Sequence, residues 1–304
     1  MDRQVLEARR RTLGPDHPDT LRSAANLALD LLEQQGHDAE AEQLLRSTLE
    51  VQRRVVGSEH PDTLVSMLAL VQALGQRNKN AEAETLARQS TDILRRTMGP
   101  EHPRTLRSMD QLATILDFEG NHAEAARQFR ELLDIERRVI GPEHEQTLIT
   151  EGNLAAALLG AKQFAEAEKL ARDCLATGRR ALGETHALTL EHRFMLADIL
   201  HQSGRATEAE TLLRQTQELQ ERVYGPENPK SAKSTYVLGA WAALRGDREA
   251  ALALLRQAVE HGLDAATIQN MEADADLKSL HGDPLFVALV ADARRAAASS
   301  RKTQ

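Results

Sequence analysis

Histidine recurs at 17, 60, 102, 144 and 186, each time inside an eight-residue stretch such as "GPDHPDTL" that also carries glycine and acids. Histidine among carboxylates is a vocabulary for metal binding, and a glycine-led turn before a helix is one for phosphate. Zinc ligands, however, must all lie about 2 Å from one ion. Equivalent positions in stacked helical units stand at least one helix-packing distance apart, about 8–10 Å. One histidine per stretch, with no cysteine beside it and with acids placed where helix starts favour them, cannot close a coordination sphere. The alternative is a joint. Gly14 and its copies end a helix in the left-handed conformation that glycine adopts cheaply. Pro15, Pro100, Pro142 and Pro226 prevent continuation, while Pro18, Pro61, Pro103 and Pro229 suit the first turn of the next helix. Asp19 and Asp62 favour its dipole, and the histidine bonds the loop backbone or packs beneath it. No metal and no other cofactor is expected.

The elements joined in this way are helices. The stretches begin at Gly14, Gly57, Gly99, Gly141, Gly183 and Gly225, a period of 42 after a first spacing of 43. Self-similarity at such a period marks a solenoid or an array. Within each unit one helical stretch follows the glycine loop and a second follows a mid-unit break. In the first, a Leu followed by a small residue recurs: Leu27/Ala28, Leu70/Val71, Leu112/Ala113, Leu154/Ala155, Leu196/Ala197 and Leu238/Gly239. In the second, Ala41, Ala83, Ala125, Ala167, Ala209 and Ala251 stand in register, where a small residue lets a neighbouring helix approach closely. The extra residue of the first unit falls between about Ala28 and Gly36, as a bulge or a lengthened turn.

The repeated "GPDHPDTL…NLA…G…EAE" pattern resembles the tetratricopeptide repeat (TPR), in the long variant of kinesin light chains and many bacterial signalling proteins. The resemblance implies an all-α, right-handed α-solenoid of helix-turn-helix repeats, one continuous domain. Six repeats span 14–261 (14–56, 57–98, 99–140, 141–182, 183–224 and 225–261). Leu31, Leu74, Leu116, Leu158 and Leu200 stand where the family often has tyrosine. Residues 1–13 read as the second helix of a preceding repeat, either because the chain is part of a longer protein or because Met1 begins a capping helix. Residues 262–298, with "DADLKSLHGDPLF" before a last helix, resemble the helical cap that closes bacterial arrays, and a solenoid needs one to cover its final apolar face. Residues 299–304 read as a disordered tail.

The family also implies where a ligand sits: in a concave groove lined by the first helices, with asparagines gripping a peptide backbone. That role carries to Asn26 and Asn153, with Gln111 as a substitute, whereas Ala69, Met195 and Val237 interrupt it. An amide both donates and accepts, which suits an extended peptide of any sequence. Arg22, Arg107 and Lys233 are neighbouring inner-face charges. Phe194, Tyr236 and Trp241 make the far end more aromatic, either as ligand anchors or as filling beneath the cap.

Other chemistry is sparse. A net charge of −8 speaks against nucleic acid or an anionic membrane surface as partner, and no apolar run approaches a membrane span. The single cysteine, Cys174, sits where a small core residue belongs and fits a reducing, cytoplasmic compartment. Counting from Asp274, a calcium loop fails, because Ser279 replaces its glycine and no Glu closes it. Arg11, Arg54, Arg96, Arg138, Arg180 and Arg222 precede each glycine by three residues. They are either a solvated last helical turn that complements the dipole or a ladder of cations for an acidic ligand. No phosphate loop, dinucleotide fingerprint or nucleophile elbow is present, so a non-enzymatic chain is expected. The function that follows is a protein-protein interaction scaffold with a protein or peptide ligand. Two other readings are the regulatory tail of a larger signalling protein, attached to a serine/threonine kinase or a nucleotide-binding switch ATPase, and a solenoid that self-associates through its N-terminal half-repeat.

Overall fold

The computed structural model describes residues 2–34 and 36–300, Ser299 and Ser300 by backbone alone. The described residues contain helices and no strand. A single helix α1 (Asp2–Leu13) precedes α2 (Pro18–Glu33), α3 (Asp38–Val55), α4 (Pro61–Gln76), α5 (Asn80–Met98), α6 (Pro103–Phe118), α7 (His122–Val139) and α8 (Glu145–Gly160). The order continues through α9 (Phe164–Ala181), α10 (Ala187–Gln202), α11 (Ala206–Tyr224), α12 (Pro229–Leu244) and α13 (Arg248–Glu260). It closes with α14 (Ala265–Asn270), a 3-10 turn (Ala275–Leu280) and α15 (Pro284–Ser300). The last helix thus runs two residues past the boundary expected at 298, and the remainder of the expected tail, 301–304, lies outside the described residues. Among the described residues no helix is long and apolar enough to cross a membrane.

The recurring stretch is a joint, and its residues divide the work. His17, His60, His102, His144 and His186 each cap the following helix, Nδ1 accepting the backbone N–H two residues on at 3.1–3.3 Å. Asn228 does the same through Oδ1 at 3.0 Å. The Thr63, Thr105 and Thr147 hydroxyls donate back to the carbonyls of Gly57, Gly99 and Gly141, each at 2.8 Å. The glycines differ from expectation in one respect. Gly99 and Gly225 have φ 89° with ψ 161° and 159°, which is not the left-handed helical well but the extended positive-φ region that essentially only glycine occupies. Because the histidine acts as a cap, His102→Ala should cost about 1 kcal/mol and His102→Asn far less, as measured by urea denaturation. Equal losses for both variants would show that the ring's packing matters and its lone pair does not.

Each first helix, α2, α4, α6, α8, α10 and α12, is sixteen residues long. The extra residue of the first unit therefore lies in the turn: residues 34–37 separate α2 from α3, against 77–79 between α4 and α5. Within that turn Gln35 lies outside the described residues. The in-register alanines Ala41, Ala83, Ala125, Ala167, Ala209 and Ala251 are all completely buried. At the matching first-helix position, a Cβ on Gly239 would stand 3.1 Å from Leu255, which is why the smallest residue occurs there.

Two compact units divide the chain, one through Ala167 and one from Glu168. In the second unit the closing segment behaves as a cap. Ile268, Met271, Leu277, Leu280, Phe286 and Val290 join Ala232, Tyr236 and Leu255 in one buried cluster, covering the apolar surface of α12 and α13.

Candidate functional site

In the first unit α2 touches α4, α4 touches α6, and α6 touches α8, so consecutive first helices form one face. On it Asn26 and Arg22 are exposed, and Arg22 is engaged by Asp62 at 2.9 Å and Asp19 at 3.4 Å. Arg107 is exposed and donates to Gln72 Oε1 at 3.1 Å. Gln111 is half-buried; its Nε2 donates to the Leu68 carbonyl at 3.2 Å, while its Oε1 is buried without a hydrogen-bond partner. Asn153, also half-buried, hydrogen-bonds Asp110.

Two clefts open on this face. One, of about 510 Å³ between α4 and α6, is lined by Val71, Gln72, Gln111, Ile115 and Phe118. Phe118 stands at its edge 79% exposed. The other, of about 520 Å³, lies where α6, α7 and the start of α8 meet, and its walls include Leu106, Arg107, Glu136, Ile140 and His144. Asp110 lines both clefts. Burial pushes the Asp110 carboxyl up, opposed by the Asn153 hydrogen bond and the Arg107 charge. Glu136, 2% exposed, is pushed up to about 7, chiefly by burial and further by the Asp110 charge, with the Thr150 hydroxyl opposing. Neither Glu136 Oε2 nor Thr150 Oγ1 has a hydrogen-bond partner of ordinary geometry.

Phe118, Asp110 and Glu136 are not among the groove residues expected from the sequence. A signal existed for each. Phe118 stands where other units have Glu33, Gln76, Gly160, Gln202 and Leu244, Asp110 where they have Ala25, Leu68, Gly152, Phe194 and Tyr236, and Glu136 where they have Gln52, Leu94, Gly178 and Gln220.

In the second unit, Phe194 is half-buried with the exposed Lys233 ammonium 5.7 Å from its ring centroid. Tyr236, expected as a ligand anchor or as filling beneath the cap, packs with the cap. It is 7% exposed, and its hydroxyl donates to the Asp274 carboxylate at 2.5 Å, so the cap has taken the ring into its own core. Trp241 is likewise buried, stacked on His201 with centroids 4.2 Å apart.

The arginines before the glycines do not present a bare cationic edge. Arg54, Arg96 and Arg138 reach the acids of the loop that opens their own repeat, Asp16, Glu59 and Glu101, at 2.5–2.7 Å. A second ladder, unread in the sequence, ties successive second helices together. In the first unit Arg46–Glu82, Arg88–Glu124 and Arg130–Glu166 are paired at 2.5–2.8 Å, and Arg172–Glu208 repeats the pattern in the second. Exposed pairs of this kind contribute about 0–1 kcal/mol each, so they set register more than stability. Glu42 is the exception. Burial works against its charge, yet Lys79, Arg46 and Arg77 close on it and hold its carboxyl down at about 2. Among the described residues no three His, Cys, Asp or Glu side chains group as metal ligands.

Helical hairpins joined by glycine turns, with consecutive first helices of the first unit in contact, define a helical repeat array. The chain belongs to the tetratricopeptide repeat family, whose model matches residues 1–54, 30–96, 79–138, 119–180, 146–219 and 187–261, and it is of the kinesin-light-chain-like kind. The nearly identical TPR-like repeats of a Podosopora anserina kinesin light chain protein are 30% identical to it. The match covers 68% of this chain and 98% of that one, with a TM-score of 0.62. At fold level alone, the apo form of RapI matches with TM-score 0.67 at 14% identity, covering 92% of this chain and 96% of that one. A Rap protein complexed with Competence and Sporulation Factor matches with TM-score 0.58 at 10% identity, covering 94% and 96%. No curated protein sequence matches.

Proposed function

We propose that the chain is a non-catalytic scaffold whose first-helix face in the first unit binds an extended segment of a partner protein. One observation carries this reading: the Gln111 amide is held by the Leu68 carbonyl so that its Oε1 is left buried and unpaired beside a cleft. A buried acceptor without a donor costs about 1–3 kcal/mol, and a backbone N–H of a bound peptide would supply the donor. Asn153 and Asn26 extend the row of amides on the same face. Arg22 and Arg107 are tethered by Asp62 and Gln72, so they serve this face as positioned charges on its rim. In the second unit, Lys233 over Phe194 offers a separate polar-aromatic surface.

The test is selection of peptides from a random-sequence display library on the purified chain, followed by anisotropy titration. Peptides chosen by the wild type should bind the Gln111→Ala/Asn153→Ala variant at least tenfold more weakly, with circular dichroism unchanged. Peptides that bind both forms equally would place recognition elsewhere and overturn the assignment.

A further inference from the structure

The cleft at α6, α7 and α8 has a chemistry that a general peptide clamp does not require. Glu136, on α7, is 2% exposed, lines the cleft and leaves Oε2 without a partner. Asp110, on α6, lines the same cleft and leaves Oδ1 buried without one. Two carboxylate oxygens without partners thus meet at a space whose walls include the apolar side chains of Leu106, Val139 and Ile140 beside the polar Glu101, Arg107, His144 and Gln146. A buried carboxylate is tolerated when a cation meets it, and none of the protein's own is bonded to these oxygens. Arg107 spends its hydrogen bond on Gln72. Arg137 is bound to Glu151 at 2.7 Å, and Arg138 to Glu101 at 2.6 Å.

We infer that this cleft is a specificity subsite for an arginine side chain of the bound segment, its guanidinium meeting Glu136 and Asp110 and its aliphatic stem lying against Leu106 and Ile140. The inference rests on the scaffold reading above and deepens it. Guanidinium fits better than ammonium because its planar array of five donors can serve several acceptors at once, and it is more weakly hydrated, so it reaches the buried carboxylates at lower cost. The subsite is also sensitive to pH. The Glu136 carboxyl, held up near 7 by burial, must ionise to receive the cation, so binding should strengthen between pH 6 and pH 8. The other charged or titratable groups facing it are Arg107 and Asp110 from α6, the Arg137–Glu151 pair between α7 and α8, and Glu101 and His144 from the loops.

The probes are the peptide acetyl-Ala-Ala-Arg-Ala-Ala-amide and the same peptide with citrulline, a neutral isostere of arginine. Both are titrated at pH 8 into the isotopically labelled full chain and followed by amide chemical shifts. The arginine peptide should move resonances of residues 103–110, 136–140 and 144–153, with the citrulline peptide at least tenfold weaker. Glu136→Gln should reduce arginine binding to the citrulline level, and lowering the pH to 6 should weaken it in the wild type only. Gln is close to the shape of the protonated side chain, so this variant should remain folded. If arginine and citrulline peptides shift these residues equally, the cationic subsite is wrong while peptide binding on this face stands. If neither peptide shifts them, or if Glu136→Gln binds arginine as the wild type does, the subsite is overturned. The display-selected peptides then decide the scaffold reading separately.

Discussion

Replacing Leu116 with alanine is expected to destabilise the chain by about 2–5 kcal/mol, the cost of emptying a fully buried leucine site that cannot wholly collapse. Leu116 is 0% exposed on α6, as are Leu74, Leu158 and Leu200 at the matching positions of other first helices. The family often puts a larger aromatic there, and this chain fills the site with leucine. Phe118, two residues further along the same helix, provides the contrast. It is 79% exposed, so Phe118→Ala should change stability by less than about 0.5 kcal/mol despite removing more side chain. Urea denaturation of the two variants checks the pair. A loss below about 1 kcal/mol at Leu116 would refute the packing account. A large loss at Phe118 would show that its ring belongs to the core and is not available to a ligand.

The second large effect is electrostatic and has the opposite sign. Glu136→Gln is expected to stabilise the chain at pH 8 and to leave it nearly unchanged near pH 4.5. The folded-state carboxyl is raised to about 7 from an ordinary 4.5, mainly by burial and then by the nearby Asp110 charge. Between those two values the native state holds a proton that the unfolded chain has released, so wild-type stability falls as pH rises through the window. At about 1.4 kcal/mol per unit, the penalty at pH 8 is on the order of 3 kcal/mol. The measurement is the stability difference between variant and wild type at several pH values, in which other titrations cancel. A difference that stays flat from pH 4.5 to 8 would sink the argument. The cost has a functional sense: a carboxylate held at the expense of stability is the kind of group that a cationic ligand can satisfy.

Much of this protein is local, and local physics was legible in the sequence. The glycine, histidine, threonine and proline of a joint such as "GPEHPRTL" lie within six residues of one another, so the stretch could be read as helix stop and helix start before any contact was known. The in-register alanines were legible for a related reason: a period of 42 exposes every position that must stay small. The cap's existence could be read from the break in that period.

What could not be read depends on groups that are distant in the chain. Tyr236 meets Asp274 across 38 residues, and nothing local says whether an aromatic at that register faces a ligand or a cap. The second-helix ladder joins residues 36 apart, which are adjacent only once hairpins stack. Asp110, Glu136 and Thr150 lie on three different helices, and each is ordinary in its own segment. Sequence by itself determined the helices, their joints and the repeat family, because hydrogen bonds, caps and small-residue contacts are enforced within or between neighbouring turns. Tertiary structure alone decided which acids lose their water, because desolvation is a property of the space that several helices enclose together.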